Sequence, residues 1–182
     1  KNSKKEEYPL SLKDMCSIEL VPELIKAGVD SFKIEGRMKS GYYLATVINA
    51  YRRYMDGQPL EISQSELLGV SHREYTEAYA DGKNAHTVNY TDSSSKGEYT
   101  YIADVMGSGD GYINVEMRNR FKVGDCLEVL SPSEHFKRSF TVENMYELQG
   151  EKIDDAKLVQ GVYKIECPFA LQQGDYLRRK NG

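Results

Sequence analysis

VDSFKIEGRMKS, residues 29–40, sets an apolar alternation beside a cluster of charges around one glycine. In a strand Phe32 and Ile34 share one face while Ser31, Lys33 and Glu35 share the other. Residues 29–35 therefore read as a strand with one apolar face and one ionisable face.

The flanks supply its context. In SIELVPELIKA, residues 17–27, Ile18, Val21, Leu24 and Ile25 recur at helical spacing, Pro22 fits only a first turn, and Gly28 is placed as a C-terminal cap. After Gly36, Ser40 can cap a second helix that Gly57 ends, with Tyr43, Val47, Ala50, Tyr51 and Tyr54 as its packing stripe. Helix, strand, helix is the unit of a parallel α/β sheet or barrel. A short helix is predicted at Ser63–Leu68. The segment TDSSSKG, residues 91–97, has linker composition, which puts the domain boundary near residues 93–97.

Beyond it the period becomes two. YTYIADVMG, GYINVEMR, CLEVLSP, SFTVENMYEL, GVYKIEC and DYLRRK are six short runs separated by turn residues, the pattern of a small six-stranded antiparallel β-barrel. FKVGDCLEV and LQQGDYLRR repeat one motif, a Gly-Asp pair entering a strand two residues before a leucine, which suits a barrel with related halves. The predicted division is a helix–strand–helix unit at 1–57, a connecting segment at 58–97 and the β-barrel at 98–182.

At 182 residues with 29% charged and 40% hydrophobic residues, the chain is long enough for one domain or two small ones. No apolar run approaches the ~18 residues of a membrane span, and residues 1–8 are too polar for a secretory signal, so the default location is the cytoplasm. Cys16, Cys126 and Cys167 are odd in number and far apart, fitting neither a disulfide framework nor a zinc site. The net charge of −4 excludes a generally basic nucleic-acid binder. Residues 1–60 nevertheless carry 10 basic against 8 acidic residues, which permits an anionic ligand there. The opening KNSKKEEYP lacks a methionine and reads as an internal start, so the chain is expected to be a piece of a longer protein.

In a parallel barrel the C-terminal strand ends and the loops after them build the active site. Lys33 and Glu35 would face that mouth, and the loop 36–40 would add Arg37, Lys39 and the free amides of a helix start, an arrangement suited to a carboxylate or phosphate. The alternative is an ion pair between Lys33 and Glu35, with Arg37 and Lys39 solvated. SLKDMC, residues 11–16, could open a helix capped by Ser11 and place Lys13 and Asp14 near the same mouth, or be an ordinary capped first turn. His72 and Arg73 in SHREYTEAY could contact an anion or stand in solvent. No catalytic residue and no metal ligand is identified, since zinc-helix, nucleophile-elbow and phosphate-loop signatures are absent.

SLKDMC, FKIEGRMKS with the following AYRRYMD, and SHREYTEAY resemble elements near the end of the catalytic barrel in the collagenase-like peptidase family of unassigned catalytic type. Residues 98–180 are similar to the β-barrel that follows in many members. The resemblance implies the C-terminal fragment of a TIM-like α/β barrel, then a module resembling the second domain of translation elongation factors. It implies an enzymatic parent, annotated in the family as a protease or collagenase, with the β-barrel as a substrate-engaging or lid module. Its alternatives are an RNA-modifying enzyme that hydroxylates uridine in transfer or ribosomal RNA, or a non-catalytic barrel binding nucleic acid or protein. An iron–sulfur cluster is implied for the full-length parent, and no cofactor for this fragment, because none of its cysteines reproduces the family's cysteine-rich signature. The implied partners are the parent's upstream barrel, an RNA or peptide substrate, and a second copy through the truncated α/β unit. The isolated chain is expected to be inactive.

Overall fold

The computed structural model describes residues 10–78, 80, 87–90 and 94–182. The chain divides into two compact units, one ending at Glu98 and the other spanning Tyr99–Gly182. It is a mixed α and β protein with few helices and a curled, eight-stranded antiparallel sheet. Residues 91–93 of the predicted linker lie outside the described residues.

The first unit contains β1 (Asp14–Met15), α1 (Val21–Lys26), α2 (Gly41–Met55), α3 (Leu60–Gly69) and β2 (Tyr75–Thr76). The helix expected from Ser17 is split into a 3-10 turn at Ile18–Leu20 and then α1. Pro22 explains the break, since it has no N–H for the Ile18 carbonyl and sits instead in the first turn of α1. Ser40 caps α2 as expected, its Oγ accepting from the Tyr43 N–H at 3.2 Å. The buried stripe of α2 is Tyr42, Thr46, Val47 and Ala50, one position round from the predicted one. α3 packs against it, with Ser63 Oγ donating to the Ala50 carbonyl at 2.8 Å.

The predicted strand 29–35 is corrected. Residues 29–35 are extended and keep the expected alternation, with Phe32 and Ile34 half-buried and Ser31, Lys33 and Glu35 exposed, but they pair with no strand among the described residues. A strand is held by a ladder of backbone hydrogen bonds, and the described residues supply no second edge. Gly36 does not turn the chain through a left-handed conformation. A Cβ there would meet the Cδ2 methyl at the end of the Leu44 side chain. Ser11 caps no helix, since residues 13–16 bond instead to residues 74–76 and 87, and β1 runs parallel to β2.

The second unit contains β3 (Tyr99–Gly109), β4 (Tyr112–Met117), β5 (Phe121–Lys122), β6 (Cys126–Leu130), β7 (Ser139–Thr141), β8 (Met145–Glu147), β9 (Lys152–Ile153), β10 (Asp155–Ala156), β11 (Val162–Glu166) and β12 (Tyr176–Lys180). The sheet order is β7-β6-β12-β3-β4-β11-β8-β9, and β5 pairs separately with β10. The expected six strands thus become eight in one sheet. All six predicted runs are strands, SFTVENMYEL divides into β7 and β8, and the two-residue strands are too short to show a period. Inward residues such as Ile102, Ile113, Val115, Leu127, Met145 and Leu177 are fully buried.

The Gly-Asp repeat is built twice in the same way. Gly124 and Gly174 have φ of 93° and 96°, a region that favours glycine. Asp125 Oδ2 accepts from the Lys122 N–H and Asp175 Oδ2 from the Gln172 N–H, both at 2.9 Å. The carbonyls of the two aspartates accept from Val142 N and Val105 N, again both at 2.9 Å. The strands that follow, β6 and β12, pair antiparallel with Glu128 opposite Arg178, which are the equivalent positions of the repeat. An approximate two-fold axis therefore passes through that pair. The Arg178 side chain is 0% exposed, bonds Glu128 Oε1 through Nε at 2.9 Å and Nη2 at 2.5 Å, and stacks at 4.1 Å on the Tyr99 ring.

Candidate functional site: a carboxylate node joining three segments

The site lies in the first unit, where the β1–β2 pairing brings residues 12–16 beside residues 72–76 and the turn before α2 brings Lys39 to both. Asp14 is the centre. Its Oδ2 accepts from Lys39 Nζ at 2.8 Å and from the Arg73 backbone N–H at 3.1 Å, and the side chains of Lys39 and Asp14 are only 29% and 18% exposed. Burial alone would raise the Asp14 carboxyl, but the hydrogen bonds from Lys39 and Arg73 and their positive charges outweigh it and hold it below the usual carboxylate range. Lys39 also sits 4.6 Å from the centre of the Tyr43 ring.

Around this node Lys13 bonds Glu74 at 2.5 Å, and Asn89 Nδ2 donates to the other Glu74 oxygen at 3.2 Å. Arg73 Nη1 donates to the Leu12 carbonyl at 3.0 Å. His72 stacks on Tyr75 with ring centres 4.0 Å apart and planes 6° from parallel.

A cleft of about 390 Å³ opens beside the node, its walls including Asp14, Cys16, Ile34, Lys39, Tyr43 and Tyr75. The Tyr43 phenol is pushed up to about 12, first by burial and then by the charges of Asp14 and Cys16. Burial also raises Tyr51 and Tyr75. These phenols therefore stay protonated and neutral near pH 7. Tyr51 Oη already accepts from the Ser17 N–H at 3.0 Å. The arrangement can offer an anion a part-buried ammonium and phenolic O–H donors in a half-enclosed space.

Of the predicted residues, Lys13, Asp14, Lys39, His72 and Arg73 come together. Lys33 and Glu35 line the same cleft but pair with each other at 3.4 Å with side chains 85% and 61% exposed, the solvent-facing alternative. Arg37 is exposed and forms no ion pair among the described residues. Sequence reasoning missed Glu74, Asn89 and the cleft-lining role of Tyr43 and Tyr75. Glu74 and Tyr75 lie within SHREYTEAY beside His72 and Arg73, whereas nothing in residue type marks Asn89.

Among the described residues no group of three or more His, Cys, Asp or Glu side chains could hold a metal ion. Cys16 is half-buried, Cys126 exposed and Cys167 buried, its thiol raised by that burial.

Residues 1–90 match the family described as Peptidase family U32, and residues 97–178 match the Peptidase family U32 C-terminal domain. The chain belongs to peptidase family U32. Within that family it is similar to tRNA hydroxylation protein P of Escherichia coli, 35% identical over 155 residues, covering 79% of this chain and 33% of that protein. It is also similar to tRNA hydroxylation protein P1 of Bacillus subtilis, 28% identical over 184 residues, covering 94% of this chain and 43% of that protein. The chain thus spans a third to somewhat under half the length of these U32 relatives. Among solved structures, the C-terminal domain of a Geobacillus thermoleovorans protein assigned to the U32 peptidases aligns with a TM-score of 0.42 and 22% identity, covering 44% of this chain and 99% of that one. No helix among the described residues is long and apolar enough to cross a membrane.

Proposed function

We propose that this chain is the C-terminal part of a cytoplasmic RNA-modifying enzyme that hydroxylates tRNA, rather than of a peptidase. The observation that carries the reading is the likeness to proteins named for tRNA hydroxylation over most of this chain, in both Escherichia coli and Bacillus subtilis. The peptidase reading rests on the family's name and on that of a Methanocaldococcus jannaschii relative, Uncharacterized protease MJ0090, 34% identical over 138 residues.

In this reading the first unit is a fragment of a TIM-like α/β barrel. An extended, alternating segment between two helices, with no ladder among the described residues, is what one barrel strand becomes when its neighbours belong to the rest of the parent. The Asp14–Lys39–Arg73 node sits at the mouth of that barrel and holds an anionic cosubstrate or an RNA phosphate, with Lys39 as the charge and the phenols as hydrogen-bond donors. The second unit, with its curled sheet and repeated Gly-Asp turns, is the module that resembles the second domain of elongation factors and engages the substrate. The cluster chemistry of the reaction belongs to the upstream part of the parent.

The test is nucleoside mass spectrometry of tRNA from cells lacking the full-length parent and complemented with wild type or Lys39→Ala. Hydroxylated uridine is expected to return with wild type and to fall sharply with Lys39→Ala. Unchanged tRNA in the deletion strain, together with peptide-bond cleavage by the purified parent, would overturn the proposal.

A further inference from the structure

On the solvent face of the second unit, one transverse row crosses four adjacent strands. Lys152 on β9 lies opposite Tyr146 on β8, Tyr146 opposite Lys164 on β11, and Lys164 opposite Asn114 on β4. With neighbouring strands ~4.8 Å apart, the two lysines stand about 10 Å from each other. Tyr112 joins the row from β4, its ring lying 6.0 Å from that of Tyr146 in an edge-on contact, with Lys164 Nζ 4.1 Å above it. Beyond Asn114 the next register position is Gly107 of β3, so the row ends on bare backbone.

The charges of this row are unbalanced. Arg118, Arg120, Lys157, Arg178 and Arg179 of the same unit are all ion-paired, whereas Lys152 and Lys164 are exposed and have no ion-pair partner among the described residues. Two carboxylates beside the row are engaged. Glu166 accepts from Tyr112 Oη at 3.2 Å and Asn144 Nδ2 at 2.7 Å, and Glu116 pairs with Arg118 at 3.0 Å.

We infer that this row is a docking surface for a single-stranded segment of RNA, with Lys152 and Lys164 contacting phosphates, Tyr146 and Tyr112 stacking bases, and Asn114 bonding a base edge. The inference rests on the RNA-modification reading and adds to it a surface outside the Asp14 node. Two cations separated by an aromatic ring match the alternation of phosphate and base along a single strand. An outer sheet face carrying them needs no deep pocket, since every base offers a flat face.

The test uses the 182-residue chain with fluorescein-labelled oligouridine and with bulk tRNA, read by fluorescence anisotropy across a salt series. The double reversal Lys152→Glu with Lys164→Glu is expected to lower affinity at least tenfold at low salt. It should also flatten the salt slope by about 1.4, two phosphate contacts at ~0.7 each. Tyr146→Leu, which keeps the apolar bulk and removes the ring, should lower affinity about tenfold with a smaller change of slope. Lys122→Glu, at an equally unpaired lysine off the row, is the control and should bind like wild type. Circular dichroism confirms that each variant is folded. If wild type binds RNA and the row variants match it, the surface is wrong and the RNA-modification reading stands on its own tRNA assay. If wild type binds neither probe, the surface is overturned in the same way, and only the tRNA hydroxylation readout decides the broader reading.

Discussion

Removing the Glu128 carboxylate should cost more than removing the Arg178 guanidinium it pairs with, although the same bond is lost. Arg178 is 0% exposed and Glu128 20%, so Glu128→Ala leaves a fully buried cation without its carboxylate, while Arg178→Met leaves a carboxylate that water can reach. Breaking a buried pair from one side costs ~3–5 kcal/mol. The partial exposure of Glu128 and the Tyr99 ring 4.1 Å from the guanidinium place Glu128→Ala at the low end, ~3 kcal/mol, and Arg178→Met at ~1–2 kcal/mol. For a unit of this size ~1 kcal/mol moves the melting temperature by ~4–8 °C, so Glu128→Ala should lower it by ~12–24 °C. The double change Glu128→Leu with Arg178→Met replaces the pair by apolar volume and should return to within ~1 kcal/mol of wild type. Thermal and urea melts of wild type, Glu128→Leu, Arg178→Met and their double form a double-mutant cycle, with Glu128→Ala melted beside them. A Glu128→Ala cost below ~1 kcal/mol, or a double variant as weak as the summed singles, would refute the argument.

The Asp14 carboxyl titrates below its unfolded value, so its contribution to stability is complete above the ordinary carboxylate range and is lost as pH falls through the depressed value. Asp14→Asn should therefore lower the urea midpoint at pH 7 and leave it nearly unchanged near pH 2, and an equal loss at both would contradict the ion-pair account. A Cβ at Gly97 would lie 2.8 Å from Ser71 N and Val70 C and 2.9 Å from Gly69 O, all backbone atoms that cannot yield easily. Gly97→Ala should cost ~1–3 kcal/mol in a urea melt of the first unit. Gly124→Ala and Gly174→Ala each force a left-handed conformation on alanine and should each cost ~1–2 kcal/mol, with similar values because the two turns share their hydrogen bonds.

What was legible in the sequence was local. Ser40 announces the start of α2 because a hydroxyl at that point satisfies a free amide, and Phe32 and Ile34 announce an extended segment because side chains alternate along it. The six period-two runs are all strands for the same reason. Pairing was not legible. The segment 29–35 has the pattern of a strand but no ladder among the described residues, because a ladder depends on a neighbour that periodicity does not supply. Among the site residues, Lys13, Asp14, Lys39, His72 and Arg73 could be named from their motifs. That Asp14 joins Lys39 to Arg73 follows from the parallel contact of β1 with β2, two strands of two residues each and 61 positions apart, too short to leave a period. Lys33 and Glu35 were drawn into the expected site by alternation alone, which fixes a face but not what covers it.

The approximate two-fold axis between β6 and β12 also bears on how the two halves are told apart. A residue lying on such an axis faces its own counterpart, so two identical half-units coming together would set acid against acid or base against base at that point. Here Glu128 faces Arg178, and the pair is the most deeply buried charge contact of its sheet. Opposite charges can stand there only when the two halves are specified by different codons. The ion pair is thus a point at which the two repeated stretches differ, and it fixes which of them carries the acid and which the base.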